Sequence, residues 1–86
     1  MKTDQVTFSL CAFEDFTDWE ESDRQTQIKV IHLIGETLKN PYSGPGNPQP
    51  LALDMDGCWC RNIDEQNRLV YRIADNALEI VACKYH

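Results

Sequence analysis

An arginine and a histidine that meet on one face of a sheet can do phosphate chemistry. This sequence offers Arg68 at the start of one apolar run and His86 at the close of another, in Cys-Lys-Tyr-His. A guanidinium fork stabilises charge developing on a phosphoryl group, and an imidazole passes a proton near neutral pH. Whether the two meet depends on the turn between the runs. A two-residue turn at Asp75 and Asn76 pairs Ile73 with Leu78 and leaves Arg68 and His86 on opposite faces by parity. A three-residue loop of Ala74, Asp75 and Asn76 pairs Ile73 with Ala77 instead, so that Arg68, Val70 and Arg72 share a face with Ile80, Ala82, Lys84 and His86. Such loops end in a left-handed residue, which asparagine tolerates, so Asn76 favours this second register. A further candidate is Gln49, between Pro48 and Pro50, where a proline-stiffened loop holds a side chain at low entropic cost.

The competing constellation is Cys58, Cys60, Cys83 and His86, residue types that bind zinc. One residue between Cys58 and Cys60 is fewer than the roughly two to four usual in zinc sites, and Cys83 and His86 have opposite strand parity. The expectation is therefore no metal and no other cofactor, with the thiols reduced and buried as small hydrophobes.

The rest of the sequence must position these groups. At 86 residues it is expected to form one domain, 1–86. Eight basic against 14 acidic residues give a net charge of −6, which argues against a general nucleic-acid or anionic-membrane binder; any RNA role must come from a local site. MKTDQVTFSLCAF lacks a basic region followed by a long apolar run, and no stretch approaches the ~20 apolar residues of a membrane span, so a cytoplasmic protein without a membrane partner is expected.

Val6, Phe8 and Leu10 alternate with polar residues as in a strand, and Ser9 can cap a short helix. Phe13, Phe16 and Trp19 form a drifting apolar stripe on that helix, with an acidic face outside it. Ser22 and Gln25 have capping-box form ahead of a second helix bearing Val30, Ile31, Ile34 and Leu38, which Asn40 before Pro41 ends. His32 points away from that stripe and is expected at the surface. PYSGPGNPQP reads as a surface loop, since neither a helix nor a central strand can run through it. CWCRNI, RLVYRIA and ALEIVACKY then read as three antiparallel strands.

With these motifs laid out, the sequence resembles the YoeB branch of the RelE superfamily, toxins of bacterial type II toxin-antitoxin modules. The resemblance runs from about Phe8 to His86. It rests on Trp19 with the following Ser22 helix, on PYSGPGNPQPL from Pro41 to Leu51, on Gly57 with Trp59 and Arg61, on RLVY from Arg68 to Tyr71, and on the final CKYH. It implies an α+β, RelE-like fold, an N-terminal strand and two helices packed on a mainly antiparallel twisted sheet. It also implies a ribosome-dependent endoribonuclease that cleaves mRNA in the decoding site, held inactive by a YefM-like antitoxin and able to form a homodimer. The family's general-acid histidine falls on His86, its phosphate-stabilising arginine on Arg68, and its general-base glutamate on Gln49, which has no carboxylate. Arg61, Arg72 and Lys84 are the expected phosphate-binding residues. Family members tend to carry a lysine at Ala52, an extra arginine at Asn62 and a tyrosine after the histidine, so weakened catalysis and ribosome binding are expected. The alternative is a non-catalytic relative that binds an antitoxin or another protein.

Overall fold

Alternating Val6 and Phe8 draw the start of the chain into a strand, β1 (Gln5–Phe8), and both side chains pack against the core. The structure, a computed structural model, describes residues 4–51 and 57–85. Ser9 ends β1 and caps α1 (Leu10–Ser22). Its hydroxyl accepts from the Ala12 N–H at 3.0 Å and donates to the Val81 carbonyl at 2.8 Å, so the cap also ties the helix to the sheet. The second helix, α2 (Arg24–Lys39), is capped by Asp23 and not by Ser22. The aspartate offers two acceptor oxygens, one for the Thr26 N–H and one for the Thr26 hydroxyl, whereas Ser22 bonds back to the Asp18 carbonyl and closes α1.

The helix stripes are rotated from the expected ones. Ala12, Phe16 and Trp19, spaced i, i+4, i+7, face the core of α1, while Phe13 is 54% exposed. Three residues fall about 60° short of a full turn, so Phe13 lags its neighbours onto the solvent side. In α2, Val30 and Leu33 are buried, Ile34 and Leu38 lie at the margin, and Ile31 is exposed, as is His32.

Four more strands, β2 (Gln49–Pro50), β3 (Trp59–Asn62), β4 (Arg68–Ala74) and β5 (Ala77–Tyr85), complete a sheet of order β1-β5-β4-β3-β2. All pairings are antiparallel except β1 on β5, as an α+β fold with a mainly antiparallel sheet requires. The short β2 was not expected among the prolines. Pro50 fits because β2 is the edge strand, where a missing N–H leaves no ladder bond unmade. One sheet face carries the main core, with Leu69, Tyr71, Leu78 and Ile80 under the helices; the other carries a smaller cluster of Cys58, Cys60 and Val70 flanked by Val81, Ala82 and Tyr85.

The β4–β5 hairpin corrects the preferred register. Ile73 pairs with Leu78 and Ala74 with Ala77, across a two-residue turn in which both Asp75 (φ 52°) and Asn76 (φ 63°) are left-handed. Aspartate shares asparagine's tolerance of that region, and two consecutive left-handed residues match the strand twist. Parity is not carried to the strand's end, because β5 shifts register twice: Tyr71 pairs with Ile80, Val70 with Ala82, and Arg68 with Tyr85. At each shift two residues of β5 oppose one of β4. Val81 and Ala82 consequently both join the smaller cluster, Cys83 and Lys84 both reach back to α1, and Tyr85 arrives opposite Arg68.

Cys83 is fully buried against α1, with its Sγ 3.5 Å from the Ala12 carbonyl and its carbonyl accepting from Trp19 Nε1 at 2.8 Å. Burial, with the Asp15 carboxylate adding to it, pushes this thiol up to about 12. Cys58 and Cys60 are buried on the opposite face, and Cys11 is exposed. In the native protein at pH 8, iodoacetamide should therefore label Cys11 first and Cys83 only on unfolding, as peptide mapping will report. Because the folded thiol holds its proton above the unfolded value of 9.0, stability from this site is full below pH 9 and is lost as pH rises toward 12. Urea titrations across that range should show a steeper decline for wild type than for Cys83→Ala.

Candidate active site

The sheet face away from the helices brings two of the expected groups together. Gln49 on β2 pairs with Cys60 on β3, Cys60 pairs with Val70 on β4, and Val70 pairs with Ala82 on β5, so these four side chains form one row. One pleat away, Arg68 stands between Asn62 and Tyr85 in a second row on the same face. With strands ~4.8 Å apart and ~6.7 Å per two residues, the backbones of Gln49 and Arg68 lie about 12 Å apart, each side chain able to reach inward.

Arg68 is half-buried, and its Nη1 lies 4.0 Å from Cys60 Sγ. Among the described residues no carboxylate pairs with it. Arg72 shares this face but is engaged: its Nε donates to Glu79 Oε1 at 2.5 Å, and that bond holds the guanidinium above its ordinary pKa. Phosphate contact by Arg72 would have to compete with Glu79. Among the described residues, the uncommitted cation on this face is Arg68, a group able to receive a phosphoryl oxygen.

Two of the expected phosphate contacts are engaged elsewhere in the fold. Lys84 bonds the Asp18 carboxylate and lies 4.6 Å from the centre of the Trp19 ring, on the helix side of the sheet, because the second register shift turns it away from Arg68. Arg61 is fully buried. Its Nη2 donates to the Asn40 and Ser43 carbonyls at 2.5 and 3.0 Å, its Nη1 to the Pro45 carbonyl at 2.9 Å, and its Nε to the Tyr71 hydroxyl at 3.3 Å. Every nitrogen of the guanidinium donates within the chain, to the end of α2, to the proline-rich loop and to Tyr71, so the buried group faces inward and not toward RNA. The sequence sign of this role is the glycine pair: an added Cβ at Gly44 would stand 3.3 Å from Arg61 Nη1, and one at Gly46 3.1 Å from Arg61 Cβ, both at positive φ.

His86 lies outside the described residues, as do Ala52 and its neighbours through Asp56. Two residues at the site escaped the sequence reading. Cys60 sits between Gln49 and Arg68, and Tyr85 faces Arg68 across the strand pair. Both depend on register; Tyr85 in particular follows from bulges that no residue type in Val-Ala-Cys-Lys announces. Gln49 is exposed, but an amide has no proton affinity near neutral pH, so this face can bind and neutralise a phosphate better than it can activate a hydroxyl.

Comparison with known proteins identifies the family. The family of YoeB-like toxins of bacterial type II toxin-antitoxin systems matches residues 8–86. Toxin YoeB of Streptomyces coelicolor is 40% identical over 82 residues, covering 95% of this chain and 98% of that protein. The YoeB dimer from Staphylococcus aureus superposes with a TM-score of 0.91 at 34% identity, covering 98% of each chain. The YoeB protein in the heterotetrameric YoeB-YefM complex of the same organism does so with a TM-score of 0.87 at 35% identity, covering 95% of each. Sequence and structure agree over nearly the whole length, and the chain therefore belongs to the YoeB-like toxins of bacterial type II toxin-antitoxin systems.

Proposed function

We propose that the protein is a ribosome-dependent mRNA endoribonuclease whose catalysis is weakened by Gln49. The observation that carries this reading is Arg68, a half-buried guanidinium with no carboxylate partner among the described residues, on the same sheet face as position 49. Arg68 neutralises the phosphoryl oxygens as the 2′-hydroxyl attacks, and His86 protonates the departing 5′-oxygen. Gln49 orients the 2′-hydroxyl through its amide but accepts no proton, so the attack relies on positioning and solvent. This route uses no metal or cofactor. With a net charge of −6 the chain needs mRNA presented by the ribosome, since long-range attraction to RNA is absent. A YefM-like antitoxin restrains the toxin in a cytoplasmic complex, and the free toxin forms a homodimer, by analogy with the Staphylococcus assemblies.

Purified protein added to programmed ribosomes tests the reading, with new 5′ ends mapped by primer extension. Wild type should cut slowly in the decoding site and leave free mRNA intact, and Arg68→Gln should lower the rate by about 10²–10³-fold, the effect of removing one donor to a developing oxyanion. Because Gln49 lacks a carboxylate, a non-catalytic antitoxin-binding role is the second reading. Tight antitoxin binding with no cleavage by wild type or by Gln49→Glu would establish it.

A further inference from the structure

We infer that Arg61 and Tyr71 are positioning residues that set where the side chain at position 49 stands. The inference rests on the ribonuclease reading for its catalytic consequence and on geometry alone for the tether. Consecutive residues of β3 serve the two sides of one device: Cys60 pairs with Gln49 on the site face, and Arg61 enters the helix face as a fully buried cation. Among the described residues Arg61 has no carboxylate partner; its charge is met by the carbonyls of Asn40, Ser43 and Pro45. Those carbonyls belong to the segment that leaves α2 and returns as β2, so the loop is folded around the guanidinium.

Tyr71 completes the collar from β4. Its hydroxyl accepts from Arg61 Nε and donates to the Pro41 carbonyl at 2.6 Å, and burial raises its pKa, so it keeps this proton in neutral solution. Gly46 is then drawn against Arg61, and its carbonyl accepts from the Asn62 N–H at 2.6 Å. Three residues later the chain pairs as β2, with the Leu51 N–H donating to the Cys58 carbonyl at 2.9 Å. The two-residue β2 is too short to hold an edge by itself, so the register of position 49 is inherited from the collar.

Tyr71→Phe tests this with little disturbance to packing, since it removes one hydroxyl and keeps the ring. Hydrogen exchange at the Leu51 and Asn62 amides should rise at least about tenfold while β4 and β5 amides in the main core stay unchanged, the signature of local opening. Cleavage on ribosomes should fall about tenfold or more when Tyr71→Phe is placed in the Gln49→Glu background, and by a clearly smaller factor in wild type, because a base that must take the proton is more sensitive to its placement than an amide that only orients the hydroxyl. Arg61→Lys, which keeps the charge but not the fork, should show the same selectivity. Equal fold losses in both backgrounds would reduce the two residues to structural supports. Unchanged exchange at Leu51 and Asn62 would overturn the tether whatever the cleavage shows. Raised exchange with no cleavage by any variant would leave the tether standing and remove the ribonuclease reading along with the catalytic consequence.

Discussion

Gln49→Glu should raise cleavage on translating ribosomes by about 10²–10⁴-fold, the range that a placed general base contributes. Position 49 lies on the edge strand, exposed, in the row beside Cys60 and on the same face as Arg68. A carboxylate placed there is near a guanidinium that has no other anionic partner among the described residues, which favours its ionised form. The pH profile should change with the rate. The variant gains an ascending limb as the new carboxylate ionises, around its ordinary value of about 4 or below, whereas wild type has no group at 49 to titrate. Both should decline at higher pH as the imidazole loses the proton it must donate. Single-turnover cleavage of one mRNA across pH 4.5–8.5 reads the descending limb in both proteins and the upper shoulder of the variant's ascending limb. A rate gain below about threefold would show that proton transfer from the 2′-hydroxyl does not limit this protein.

Arg61→Met should cost about 3–5 kcal/mol of folding stability, a large part of the ~5–15 kcal/mol typical of a small domain. The substitution keeps much of the side chain's volume and removes its donors. Three loop carbonyls lose their partner, and the Tyr71 hydroxyl loses one of two bonds. Each buried group left unsatisfied costs about 1–3 kcal/mol, and the lower end applies where the loop can swing its carbonyls to water. Urea unfolding should show a lower midpoint. By contrast, removing the exposed Arg72–Glu79 pair by Glu79→Gln should change stability by less than about 1 kcal/mol, the usual value of a surface ion pair. If Arg61→Met and Glu79→Gln cost the same, the collar is held by the chain's own turns and the cation is a passenger.

Much of the architecture was legible in residue order. Alternation at Val6 and Phe8, the Ser9 cap of α1, and proline and glycine between Pro41 and Pro50 are local signals, and each is read from side-chain chemistry within a few residues. They were enough for one strand, two helices and an antiparallel meander, and the quoted motifs carried the family. Arg68 and position 49, both singled out from the sequence, lie on one sheet face. What the tertiary structure decided is which of those residues share a face. Two register shifts in β5 separate Lys84 from Arg68 and bring Tyr85 to it, and they arise from how β5 packs between β1, β4 and α1, a balance of contacts remote in sequence. Arg61 shows the same limit. As a letter it is a cation suited to phosphate; in the fold it is the centre of a carbonyl collar, because the partners that bury it come from residues 16 to 21 positions earlier in the chain.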